Sequence, residues 1–236
     1  MTSTPVPRTT VPRIKVCGLR QLADLDILVN AGVDSIGINF VPSSPRYVEP
    51  ACAVELSARA AELGLLRVAV VMDLSAAQLR KLLTEVEVDW VQLHGSEPPA
   101  LADACGGLPI LKVTSWTGRP QESELVNAWL RLANPGPLRA WLVDAYAPAV
   151  GGGTGRIARW DLLHPRPAAF GNLPLILAGG LAPHNVADAI AASAADGVDT
   201  ASGVELAPGL KSPDLVRAFA AAAAQALSRR AAAPSE

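Results

Sequence analysis

A thiol and a carboxyl group each close a short apolar run: Cys17 follows Ile14-Lys15-Val16, and Asp144 follows Trp141-Leu142-Val143. A thiol whose proton is drawn off by nearby positive charge serves as a general base. A carboxyl group that partial burial keeps protonated serves as a general acid. Each also has a plainer reading. Cys17 alone is a small buried hydrophobe, as most free cysteines are, and Asp144 alone is a solvated aspartate at a strand end. Lys15 lies two residues before Cys17, so strand alternation puts both side chains on one face.

Other residues with chemistry occupy similar places. Arg46 sits in the loop Ser43-Ser44-Pro45-Arg46-Tyr47, and its planar guanidinium suits a carboxylate. His94, in Gln92-Leu93-His94-Gly95, reads as acid, base or structural imidazole. Asp199 falls inside an apolar stretch and reads as an inward, structural carboxylate. Two strand-like runs end in small-residue turns, Gly179-Gly180 after Leu177-Ala178 and Ser202-Gly203 after Val198-Asp199-Thr200-Ala201. Backbone N–H groups in such turns reach an anion with no side chain in the way. The expected ligand is therefore a small phosphorylated molecule.

These residues must be carried by elements, and the chain alternates short β-like runs with Ala/Leu-rich helical runs. Strands are predicted at 14–19, 35–40, 66–72, 89–93, 110–115, 140–144, 173–178 and 197–201. Helical segments follow at 21–30, 51–63, 75–86, 97–104, 122–132, 160–163, 183–192 and 212–227. Ser75 is placed to cap one helix, and Pro183 and Pro213 to open two others. Eight strand–helix units in 236 residues predict an α/β fold, a single-domain closed (β/α)8 barrel. The domain is expected over 13–228, with a disordered Thr/Pro-rich extension at 1–12 and a frayed tail at 229–236. In such a barrel the C-terminal strand ends form one rim, so the thiol, guanidinium, imidazole, carboxylates and glycine turns converge there.

A doubly wound sheet is disfavoured because no G-x-G-x-x-G turn follows the first strand. Gly151-Gly152-Gly153-Thr154-Gly155 lacks the lysine and spacing of a nucleotide-binding P-loop and reads as a flexible loop over the site mouth. Twenty basic residues against 22 acidic ones leave a net charge of −2, which argues against a nucleic-acid or membrane-surface binder. No apolar run approaches the roughly 20 residues that span a bilayer. Three irregularly spaced cysteines, Cys17, Cys52 and Cys105, form no disulfide framework or metal-ligand pattern. A cytoplasmic protein, monomer or homodimer, is expected.

Seven stretches resemble, in order, those of the phosphoribosylanthranilate isomerase family. They are Ile14 to Leu19, Ser44 to Val48, Val91 to Gly95, Leu142 to Asp144, Gly152 to Gly155, Ala178 to Leu181 and Asp199 to Glu205. The resemblance spans about residues 13 to 228. It implies a (β/α)8 barrel in tryptophan biosynthesis that performs an Amadori rearrangement without metal or organic cofactor. It further implies Asp144 as general acid and Cys17 as general base. Arg46 would grip the anthranilate carboxylate, with His94 and Asp199 near the substrate. Gly179, Gly180, Ser202 and Gly203 would hold the phosphate. The chain departs from the family pattern in three places. Ala201 stands where a serine is common, the third strand Val68 to Asp73 lacks the usual small/aromatic pattern, and the N-terminal extension is unusual. A paralogous isomerase of a related phosphoribosyl amine, or a non-catalytic phosphate binder, is the alternative. Cys17 with Asp144 argues against the binder, since binding alone requires neither.

Overall fold

Eight parallel strands close on themselves in sequence order, each paired with its chain neighbour and the last with the first. They are β1 (Ile14–Cys17), β2 (Ser35–Asn39), β3 (Leu66–Val71), β4 (Trp90–Leu93), β5 (Ile110–Thr114), β6 (Leu138–Asp144), β7 (Leu175–Ala178) and β8 (Gly197–Thr200). The computed structural model describes residues 10–132, 136–144 and 160–232. The Gly151–Gly155 loop lies outside them. The strands are short apolar runs because both faces are covered, as in parallel sheets generally; every residue of β3 is buried.

Alternation divides the apolar residues into two layers. Val68, Trp90, Leu111, Ala140, Leu142 and Ile176 fill the barrel interior. The opposite faces of the strands pack against the helices α1 (Ala23–Ala31), α2 (Pro50–Glu62), α3 (Ala76–Glu85), α4 (Pro120–Leu130), α5 (Val186–Ser193) and α6 (Pro213–Ala232). Ser75 caps α3 as expected. Its Oγ accepts from the Gln78 N–H at 3.3 Å, and Gln78 Oε1 accepts the Ser75 N–H at 2.9 Å, a reciprocal capping box.

The structure corrects several expectations. The short helix expected over 97–104 begins two residues later and is a 3-10 helix, Pro99–Cys105. It ends at Gly106 and Gly107, both at positive φ, after a single short run. Among the described residues, the connection after β6 holds two short 3-10 turns, Trp160–Leu163 and Ala168–Phe170; Pro165 and Pro167 between them rule out a continuous helix. Val11, expected in the disordered extension, packs against the interior layer from the N-terminal end of the barrel. Arg229 to Ala232, expected to fray, continue α6, and Arg230 Nη2 reaches Asp196 Oδ1 at 2.8 Å. A two-stranded hairpin, β9 (Glu205–Ala207) and β10 (Leu210–Lys211), stands between β8 and α6.

One buried ion pair locks β3 to the start of β4. Arg67 donates from Nε to Asp89 Oδ2 at 2.9 Å and from Nη2 to Oδ1 at 2.8 Å, with both side chains about 5% exposed or less. Asp89→Ala strands a buried guanidinium, and such losses cost about 3–5 kcal/mol. Equilibrium denaturation of the variant should show a loss of that size; a loss below about 1 kcal/mol would mean that water or Glu87 replaces the carboxylate.

Candidate active site

The C-terminal ends of the strands enclose a cavity of about 390 Å³. Its lining includes Cys17, Arg46, His94, Asp144, Gly179, Gly180, Asp199 and Ser202, residues drawn from six of the eight strand ends. Gly203, expected at the phosphate, is not part of the lining. A Cβ there would collide with the Leu181 carbonyl and Thr200 Oγ1, so this glycine serves the packing of the turn.

Cys17 ends β1 and points into the barrel, as does Lys15 two residues earlier. A Cβ on Gly37 would lie 2.7 Å from Cys17 Sγ and 3.0 Å from Lys15 Nζ. The thiol and ammonium therefore sit side by side over the one residue of β2 that has no side chain. Lys15 is fully buried, and its Nζ donates to Asp199 Oδ1 at 2.9 Å. These two residues are register partners across the seam that closes the barrel. Burial opposes the ammonium most strongly of the single effects, but Asp199 and Cys17 together outweigh it and raise the Lys15 pKa. Burial pushes the Cys17 thiol above its ordinary 9.0; Lys15 opposes this, Asp199 adds to it, and Lys211 and Arg46 oppose it more weakly. The positive charge that a thiol needs to act as a base is present, but it does not bring the Cys17 pKa below its ordinary value. Asp199 cancels much of the positive field that Lys15 supplies.

Arg46 is delivered by a loop that β2 shapes. Asn39 Oδ1 accepts the Val41 N–H at 2.8 Å, Asn39 Nδ2 donates to Ser44 Oγ at 3.2 Å, and Ser44 Oγ accepts the Arg46 N–H at 3.1 Å. The guanidinium is clasped by Glu205. Nε donates at 2.9 and 3.1 Å to its two oxygens, and Nη2 donates at 2.6 Å to Oε2. Sequence reasoning quoted Glu205 inside a motif without giving it a role, and it missed Lys211.

His94 follows β4, and a second buried pair builds its loop. Lys112 Nζ on β5 donates to the Leu93 and Gly95 carbonyls and to Glu97 Oε2 at 2.8 Å, while Glu97 Oε1 accepts the Gly95 and Asp73 N–H groups. Burial lowers the His94 pKa, against the pull of Asp144 and Asp199, so the ring is neutral near pH 7. Gln92 Nε2 lies 3.1 Å from His94 Nδ1. This contact orients the ring with the Gln92 amide as donor, which leaves the proton of the neutral ring on Nε2. The Gln92 Oε1 atom is buried, with no partner among the described residues.

Asp144 is the last residue of β6, half-buried at the rim. Beside it, Gly179 and Gly180 take φ of 93° and 65°, which residues with a Cβ adopt only under strain. Asn185 fixes this turn, accepting the Ala182 N–H at 2.8 Å and donating to the Gly180 carbonyl at 3.1 Å. Thr200 Oγ1 donates to the Leu181 carbonyl at 2.7 Å and ties the two turns together. With Thr200 engaged and Ala201 lacking a donor, Ser202 keeps the exposed hydroxyl at this corner. Among the described residues no group of His, Cys, Asp and Glu is arranged to hold a metal ion.

A closed eight-stranded parallel barrel whose rim combines a thiol, a carboxyl group, a guanidinium and a double-glycine turn defines a barrel enzyme for a small anionic substrate. The family is shown by comparison. The model of the N-(5'-phosphoribosyl)anthranilate isomerase family matches residues 14–222. An N-(5'-phosphoribosyl)anthranilate isomerase of Myxococcus xanthus is 38% identical over 213 residues, covering 89% of this chain and 95% of the relative. The crystal structure of the Thermotoga maritima phosphoribosylanthranilate isomerase superposes with a TM-score of 0.76 at 30% identity, over 91% of this chain and 100% of that one. A phosphoribosylanthranilate isomerase crystallised with reduced 1-(o-carboxyphenylamino)-1-deoxyribulose 5-phosphate gives 0.73 at 29% identity, over 91% and 100%. The chain belongs to the phosphoribosylanthranilate isomerase family. It is an isomerase of tryptophan biosynthesis. No helix among the described residues is long and apolar enough to cross a membrane.

Proposed function

We propose that Asp144 and Cys17 divide the acid and base work of the Amadori rearrangement in this chain. The carrying observation is that both line one cavity, on strands β6 and β1, with Arg46 and the Gly179–Gly180 turn on the same rim. Asp144 gives its proton to the furanose ring oxygen. The bond from that oxygen to C1 breaks, and the nitrogen lone pair forms a protonated Schiff base at C1. Cys17 as thiolate removes the C2 proton, and the electron pair moves to make an enolamine. That species becomes the ketone by losing the C2 hydroxyl proton and gaining one at C1. The two steps need opposite protonation states on the two groups.

The aryl carboxylate falls to Arg46, and the phosphate to the backbone of Gly179 and Gly180 with the Ser202 hydroxyl. The product analogue bound to the related isomerase carries both anionic groups, in keeping with two separate anion sites. Phosphate binding far from C1 and C2 positions those carbons for reaction. Asp199 contributes through Lys15, whose ammonium stands ready to balance a thiolate. His94, neutral and oriented by Gln92, offers a hydrogen-bond donor to the substrate.

The direct test is a fluorescence assay with freshly generated phosphoribosylanthranilate. Rapid signal loss with the purified protein supports the assignment, and a folded but inactive protein removes it. Gly37→Ala probes the thiol–ammonium pair. Its methyl group would enter the space shared by Cys17 Sγ and Lys15 Nζ, so kcat should fall about tenfold or more while KM changes little. Unchanged kcat would show that the thiol need not sit there.

A further inference from the structure

We propose that Glu205, braced by Lys211, is a positioning residue that turns the Arg46 guanidinium toward the aryl carboxylate of the substrate. The proposal rests on the reading of Arg46 given above.

Arg46 lies across the end of β1, directly over Gly18, where even a Cβ would collide with its side chain. Glu205 holds the Nε and Nη2 edge of its guanidinium from the side away from the cavity. Arg46 and Cys17 line the cavity, and Glu205 does not. An arginine has five donors in a rigid plane. With Nε and one Nη2 proton taken, the remaining donors sit on Nη1 and the outer side of Nη2. Nη1 makes no hydrogen bond among the described residues. A second carboxylate can therefore bind the free edge without displacing the first, in the two-point geometry that guanidinium and carboxylate prefer.

Glu205 is itself fixed. Its side chain is 3% exposed, and Oε1 also accepts Lys211 Nζ at 2.8 Å and the Gly209 N–H at 3.1 Å. Lys211 Nζ further donates to the Cys17 carbonyl at 2.6 Å and the Ala201 carbonyl at 3.3 Å. One chain of contacts thus ties the guanidinium to the end of β1, which carries the thiol, and to the turn after β8, which faces the phosphate. Arg46 and Lys211 face Glu205 and, beside Lys211, Asp24, so the charges at this corner roughly balance. The attraction for a further carboxylate therefore rests on the unengaged N–H groups of Arg46. A free arginine would lose rotamer freedom on binding; this one has lost it beforehand.

A purely structural role for Glu205, as an ion pair that holds the β9–β10 hairpin, makes different predictions. The experiment is a double-mutant cycle of Glu205→Gln with Arg46→Ala, read as separate KM and kcat values. Two substrates are compared: phosphoribosylanthranilate and its aniline counterpart, which lacks the carboxylate. Loss of one charge-assisted contact is expected to raise KM for the anthranilate substrate about ten- to hundredfold in Glu205→Gln, with kcat within about threefold. In the Arg46→Ala background the same change should add nothing, and KM for the aniline counterpart should not move. Lys211→Met provides a second route, with a smaller KM rise that Arg46→Ala again abolishes; it carries the test if Glu205→Gln melts early.

The proposal is overturned if the Glu205→Gln penalty persists in the Arg46→Ala background, applies equally to the aniline counterpart, or falls on kcat. Arg46→Ala with unchanged KM instead overturns the reading of Arg46. Arg46→Ala with raised KM beside a silent Glu205→Gln overturns only the part assigned to Glu205.

Discussion

Replacing Asp144 with asparagine is expected to lower kcat by roughly 10²- to 10⁴-fold with little change in KM, the usual scale of one acid or base role. Asparagine keeps the shape and one hydrogen-bonding oxygen but has no acidic proton to give the ring oxygen. The furanose ring must open before C2 becomes acidic, so loss of the acid slows the first step and all that follows. The substitution falls at the very end of β6, where the side chain faces the cavity. It should leave the melting temperature within a few degrees of the parent, since surface and rim changes usually stay within about 0.5 kcal/mol. Steady-state kinetics beside a thermal melt check both parts. An active Asp144→Asn enzyme would mean that another group, or water, protonates the ring oxygen.

Cys17→Ser should cost a similar factor, because an alcohol is a far weaker base than a thiolate at the same place. The pH dependence gives a sharper test. Burial holds the Cys17 thiol above its ordinary 9.0, so near neutral pH this proton rests on sulfur. The reactive form carries a proton on Asp144 and none on Cys17. It has the same proton count as the form in which the pair's single proton sits on Cys17. The ratio of these two forms does not change with pH, because converting one into the other takes up no proton from solvent. kcat/KM should therefore fall on the alkaline side only above the ordinary thiol range, where Cys17 gives up its proton and the pair has none left. A profile of kcat/KM from about pH 6 to pH 10 decides it. A descending limb centred near neutrality would show that sulfur is deprotonated in the resting enzyme and that Lys15 dominates the local field.

The groups that react were legible in the sequence because each ends a strand. Apolar alternation marks the strands, and a barrel brings their C-terminal ends to one rim. Cys17, Asp144, Arg46, His94 and the glycine turns could be named together on that basis. The connections were less legible. Pro99–Cys105 has an apolar pattern suited to a helix, yet Pro98 before it, Pro99 at its first position and two glycines after it leave room only for a short 3-10 segment. Val11 looked like part of a polar extension because its partners, Trp90 and its layer, lie far along the chain.

The pairings that support the reacting groups were hidden for the same reason. Lys15 and Asp199 are 184 positions apart, and Arg46 and Glu205 are 159 apart. Nothing in the local pattern of either partner states that β8 closes against β1 or in which register. Local spacing determined which side chains stand at strand ends and which face they take, because side-chain direction along a strand depends only on alternation. The tertiary structure alone decided which charges meet: Asp199 on Lys15 beside the thiol, and Glu205 behind Arg46. Barrel closure sets those distances and buries the groups, and burial together with the nearby charges, more than the residue types, sets where the protons rest.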